Sequence, residues 1–146
     1  MKNIYTLFIL ILFCASMFSC KEVEKETVKD EKQIAIEIIS AQTMGLAYLE
    51  EFQLEEAENE FLNLIKLAPN EKLGYANLGL TYLRMGKYKE AEKQLFKAIK
   101  IDSKDADIML LLATVYQMDD KREKAIATLK ETLKFAPDHI QILFLT

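Results

Sequence analysis

The chain has 146 residues, with 19 Lys and Arg against 23 Asp and Glu, and a formal net charge of −4 at pH 7. That length holds one ordinary domain or a few copies of a small repeat, and a hydrophobic share of 51% excludes wholesale disorder. The acidic balance argues against a nucleic-acid partner, which calls for a basic face. Two cysteines, Cys14 and Cys20, are too few and too close together to build a disulfide scaffold.

The first segment in chain order, residues 1–19, reads as an address rather than as part of a fold. Met1-Lys2-Asn3 is a short positive start, and Ile4 to Ala15 is an apolar run broken only by Thr6. Such a run suits a signal-peptide core, whereas a spanning helix needs about 20 apolar residues. It ends at Met17-Phe18-Ser19-Cys20. An apolar core followed by a small residue and Cys resembles the lipobox of bacterial lipoproteins. Ser19 fits that pattern, whereas Met17 and Phe18 depart from it. The resemblance implies cleavage before Cys20 and acylation of its thiol, a side chain suited to the step because thiolate is a good nucleophile. An uncleaved membrane anchor and an ordinary cleaved signal are the alternatives.

Residues 20–33 carry the expected lipidated Cys20 and a charged linker. Nine of the thirteen residues from Lys21 to Gln33 are charged, without apolar periodicity. Lys21-Glu22 resembles the export signal of surface lipoproteins in some Gram-negative phyla; a solvated tether explains it equally well. The resemblance implies a place in the bacterial cell envelope, lipid-anchored at the outer membrane, and the export-signal reading extends it to the cell surface.

From residue 34 to 139 the chain repeats itself. Tyr48, Tyr82 and Tyr116 are 34 apart, as are Ala57, Ala91 and Ala125. Gly45 and Gly79 keep the same step, with Ala113 in the third copy, and Pro69 and Pro137 bracket Ser103. Each unit offers two amphipathic stretches with apolar positions three and four apart. In the second unit these are Leu73–Met85 and Lys89–Ile101, broken at Gly86-Lys87. Gly79 and Ala91 are expected on facing helices, where small residues let backbones approach. Pro69 and Pro137 stop the second helix of their units.

The 34-residue period and its slots resemble the tetratricopeptide repeat (TPR) family. The Trp slot holds Ala41, Tyr75 and Met109; the Leu slot Met44, Leu78 and Leu112; the Phe slot Phe61, Leu95 and Leu129. The resemblance implies an all-α fold, a right-handed helix-turn-helix solenoid of three repeats at 38–71, 72–105 and 106–139. Ile34, Ile36, Ile38 and Ile39 are expected to extend the first helix backward and shield it. Residues 140–146 read as the start of a fourth helix or a truncated cap. An uncapped last unit exposes apolar surface, so either the sequence continues or that edge meets a partner or a second copy.

Little chemistry is on offer. Beyond Cys20 the chain has two serines, Ser40 and Ser103, and one histidine, His139. A Ser-His or Cys-His triad lacks material, and His139 reads as a turn residue. Asp102, Asp105 and Asp107 lack the Gly and closing Glu of a calcium loop and read as turn and helix-start charges. Glu55, Glu56, Glu58 and Glu60 read as a solvated helix face. No enzyme activity, cofactor or metal is expected.

The family resemblance implies a concave groove, lined by the first helix of each unit, that takes a protein or peptide. The lining would be Gln42, Leu46 and Leu49; Asn77, Leu80 and Arg84; and Asp107, Leu110, Thr114 and Gln117. Some family members clamp a chaperone's C-terminal carboxylate, but of that set only Asn77 matches here, with Gln42, Leu46, Asp107 and Leu111 in the other places. The expected function is a membrane-anchored adaptor or assembly scaffold, with the groove more apolar than charged and Arg84 as its clearest cation. The alternative is the N-terminal repeat module of a larger exported protein, with an enzymatic or glycan-binding domain beyond residue 146.

Overall fold

A computed structural model describes residues 30–138. Cys14, Cys20, His139 and the segment 140–146 therefore lie outside the described residues, and with them the signal, the lipid anchor, most of the linker and the start of a fourth helix. The chain divides into two compact units, 1–37 and 38–146. In the first, residues 30–37 are helical and exposed, and Gln33 Nε2 donates to Glu37 Oε1 at 3.2 Å.

The described residues form six α-helices and no strand. α1 covers 30–50, α2 Leu54–Leu67, α3 Lys72–Arg84, α4 Tyr88–Ile101, α5 Ala106–Met118 and α6 Arg122–Leu133. The all-α reading therefore holds, and the two helices expected in the second repeat lie within one residue of the observed ends. From α2 to α6 each helix packs on the next, and α3 also touches α5; Ala41 and Leu49 of α1 share a core cluster with Ala57, Phe61 and Leu64 of α2. Of the four isoleucines expected to shield the start of α1, only Ile38 is half-buried against the core. Ile34, Ile36 and Ile39 are exposed.

The turn inside each repeat has one local cause. Phe52, Gly86 and Asp120, 34 residues apart, have φ of 59°, 74° and 58°. A left-handed residue just past a helix lets the next amide reach back over the last turn. Gln53 N bonds Tyr48 O at 2.9 Å, and Lys87 N bonds Tyr82 O and Lys121 N bonds Tyr116 O, both at 2.8 Å. Glycine reaches this conformation without penalty; Phe52 and Asp120 adopt it at a cost. Between repeats the stop is different. Glu71 and Asp105 cap α3 and α5, accepting from Leu73 N at 3.4 Å and Ile108 N at 3.1 Å. α2 ends two residues before Pro69, as expected.

Close approach joins the two helices of a repeat. A Cβ added to Gly45 would lie 2.6 Å from Phe61 Cε1, and one added to Gly79 would lie 2.7 Å from Leu95 Cγ. Ala91 is fully buried opposite Gly79, its carbonyl oxygen 3.5 Å from that added Cβ, which confirms the facing pair. In the third repeat Ala113 packs with Leu129. Larger clusters fill the seams between repeats: Ala41, Leu49, Ala57, Phe61, Leu64 and Leu78 at the first, and Leu95, Ala98, Ile108, Leu112 and Val115 among those at the second.

The left-handed turns give a direct test. Asp120→Gly should raise stability by about 0.5–1 kcal/mol, because glycine removes the Cβ penalty at positive φ. Urea denaturation would read this as a higher midpoint with an unchanged slope. A lower midpoint would mean that Asp120 holds its turn by another interaction.

Candidate functional site

The face lined by α1, α3 and α5 carries the residues expected to form a groove, but they do not all face outward. Leu46 is 38% exposed, and Gln117 is exposed too. Gln42 and Asn77 are half-buried, as is Leu80, which packs against the first core cluster. Leu110 is half-buried against Ala113 and Leu129, and Thr114 Oγ1 donates to Leu110 O at 3.0 Å within α5. Asp107 is exposed at the start of α5.

Two expectations need correction. Leu49 is 3% exposed and belongs to the first core cluster, so it lines no groove. Leu49, three residues on along the same helix, packs instead with Phe61 and Leu64 in that cluster. Arg84 is exposed, but its guanidinium is engaged: Nη1 donates to Leu49 O at 2.6 Å, and the group lies 5.3 Å from the Phe52 ring centre. It straps the end of α3 to the end of α1.

The structure adds residues that the slot pattern did not single out. A shallow hollow of about 220 Å³ lies between the first halves of α3 and α5. Its apolar walls are Leu73, Ala76, Ile108 and Leu111, and its polar side is Asn77, Asp105 and Asp107. Leu73 is 39% exposed, a large apolar side chain left at the surface. The register could have found these residues, because Leu73 stands in step with Asp107 and Asn77 with Leu111.

Asp105 serves the frame of the hollow. Lys72 Nζ lies 2.7 Å from Asp105 Oδ2 and 2.6 Å from Asp102 Oδ2, tying the start of α3 to the loop before α5. Hydrogen bonds from Lys72 and the Lys104 amide hold the Asp102 carboxyl below its usual range. Burial pushes the Asp105 carboxyl up, but Lys72 and the Ile108 amide outweigh it and hold it low. Asp102 and Asp105 thus act as turn and helix-start charges.

A second polar arrangement recurs at both seams. Tyr82 Oη donates to Glu58 Oε1 at 2.8 Å, and Tyr116 Oη donates to Glu92 Oε1 at 2.9 Å. Lys87 and Lys121 lie 3.6 and 3.3 Å from the other oxygens of Glu58 and Glu92. Every member is 34 residues from its counterpart. Glu58 is therefore half-buried in a seam and not part of a solvated acidic face. Burial and the bond to Glu58 push the Tyr82 hydroxyl up to about 12, and burial and Glu92 push Tyr116 up likewise. Burial raises the Glu92 carboxyl, but Tyr116 and Lys121 together hold it below its usual value.

Models of the tetratricopeptide repeat match residues 40–71, 60–93 and 82–143. Solved structures share the fold. The Arabidopsis OM64 TPR domain is 22% identical, with a TM-score of 0.69 over 73% of this chain and 88% of that one. The second TPR domain of human RPAP3, solved with an HSP70 peptide, is 24% identical, with a TM-score of 0.70 over 76% of this chain and 92% of that one. The yeast Sti1 TPR2B domain, in a pHsp70 complex, is 21% identical, with a TM-score of 0.68 over 73% and 85%. Comparison with curated proteins gave no match.

The two seams predict the pH dependence of folding. Glu92, Asp102 and Asp105 have depressed values in the folded state, so their contribution is present above about pH 4, the ordinary carboxylate range, and is lost as pH falls through the depressed values. The tyrosines are raised, so their contribution is intact below about pH 10 and is lost as pH climbs toward about 12. Urea midpoints measured across pH should fall on both sides. Tyr82→Phe with Tyr116→Phe should flatten the alkaline fall, and Glu92→Gln the acid one. Unchanged limbs in both variants would show that the Tyr–Glu pairs contribute nothing.

Proposed function

The chain belongs to the tetratricopeptide repeat family, and from that premise we propose that it is a lipid-anchored adaptor of the bacterial envelope. Its α1, α3 and α5 face receives an extended segment of another protein. The observation that carries the reading is the hollow between α3 and α5, with Leu73 left exposed on its wall and Asn77 on its polar side. Leu46 on α1 is a further apolar side chain left exposed. Burying one such side chain against a partner contributes about 1.5–3 kcal/mol, and a few of them suffice for a specific contact.

The solved relatives add support, since the RPAP3 and Sti1 domains were each captured with chaperone sequences. The partner here is of a different kind. Asp107 and Leu111 stand where a carboxylate clamp places basic groups, so a terminal carboxylate would meet repulsion in place of a salt bridge. The expected ligand is an internal segment that presents apolar side chains. Anchoring rests on the sequence around Cys20, and it would hold the groove at the membrane surface.

A photoreactive benzoylphenylalanine in place of Leu73 tests the groove in cells of the native host. One protein should be captured, and Leu46→Glu added to the same chain should reduce that adduct about tenfold, the loss of one good contact. Capture that is unaffected by Leu46→Glu, with helicity unchanged, would overturn the groove reading. The intact mass of the detergent-extracted protein tests the anchor separately. A chain that begins at Cys20 and carries acyl groups is the expected species, and a mass without lipid would remove the anchor while leaving the groove standing.

A further inference from the structure

The outer face of α4 carries a feature that repeat packing does not require. Lys89, Lys93, Lys97 and Lys100, with Phe96 among them, are all exposed, and their spacing of three and four puts them along one stripe of the helix. Phe96 is 44% exposed. None of the four lysines forms an ion pair among the described residues; Lys97 lies 5.4 Å from the Tyr75 ring centre. The acids of α4 do not neutralise them. Glu92 is taken by Tyr116, Lys121 and Lys124, and Glu90, at the border of the stripe, forms no ion pair with them among the described residues.

The register shows that the stripe is particular to this helix. In step with Lys89, Lys93 and Lys97, α2 has Glu55, Asn59 and Asn63, and α6 has Glu123, Ala127 and Glu131. Only the last position is basic throughout, at Lys66, Lys100 and Lys134, where a cation suits the end of a helix. A chain of net charge −4 thus concentrates unpaired positive charge on one helix of its middle repeat.

We propose that this face of α4 is a docking surface for an anionic lipid bilayer, with the lysines on the headgroups and Phe96 inserted between them. Charge complementarity selects an anionic partner. The exposed ring selects a bilayer over an acidic protein, because a ring flanked by long lysine stems can enter the headgroup boundary while the ammonium groups stay at the phosphates. The surface lies on α4 and shares no residue with the hollow between α3 and α5, so both can be occupied at once. It does not depend on acylation of Cys20.

The sequence contains no tryptophan, so Phe96→Trp gives the full chain a single reporter. With phosphatidylglycerol vesicles its emission should shift to the blue and become shielded from iodide. Pure phosphatidylcholine vesicles should leave it unchanged even where the N-terminal segment attaches the chain. Raising salt from about 0.1 to 1 M shortens the screening length from about 10 to 3 Å and should reverse the shift. Each Lys→Gln change in the stripe should weaken the response about fivefold, and Gln117→Trp, on α5, should not respond. The proposal is overturned if phosphatidylglycerol gives no shift, if phosphatidylcholine gives the same shift, or if the shift survives all four Lys→Gln changes. A response to polyglutamate in place of vesicles would overturn it in favour of an acidic protein partner.

Discussion

Every repeat depends on one steric condition: a residue with almost no side chain must face a large one across the helix pair. Gly45 lies under Phe61, Gly79 under Leu95, and Ala113 packs with Leu129. The close approach lets Phe61 and Leu95 fill the interior completely, and each exposes essentially no surface. Enlarging the small partner would force these buried groups off their rotamers, at a cost of about 1–3 kcal/mol. The seams between repeats, the hollow on α3 and α5, and the outward stripe on α4 all follow from how these pairs set the helix faces.

Polar groups then fix which repeat follows which. The left-handed turn delivers Lys87 and Lys121 beside the tyrosines of their own repeats and the glutamates of the preceding ones. Surface ion pairs alone contribute little, about 0–1 kcal/mol each. Here the tyrosine hydroxyl shares the same carboxylate, and the half-buried Glu92 is satisfied by two donors at once. Such a cluster specifies register as well as adding stability, because a slipped stack would leave a half-buried carboxylate without its donors.

Much of the fold was legible because a 34-residue period constrains spacing, identity and side-chain size together. Tyr82, Ala91, Gly79 and the break at Gly86-Lys87 all signalled their places directly. The site was less legible. Leu49 has the same chemistry as Leu46, and only the packing of α1 on α2 decides which of them is buried. Arg84 reads as a binding cation until the Leu49 carbonyl and the Phe52 ring are seen beside it. Glu58 lies in a run of acids that looks solvated, and its bond to Tyr82 spans 24 residues and two helices. The last two are contacts across repeats, which a period within one repeat does not encode.

The two seams are fastened unequally. Lys72 holds Asp102 and Asp105 together at the second, and Lys124 joins Lys121 on Glu92 there. At the first seam the corresponding carboxylate, Glu58, has one lysine, Lys87, among the described residues beside the Tyr82 hydroxyl, with Arg84 reaching a backbone carbonyl. Under mechanical load entering at α1, the first seam would therefore have fewer ion pairs to break than the second. The hollow formed by α3 and α5 lies on the more heavily ion-paired side, so strain admitted at the first seam would leave its walls in place.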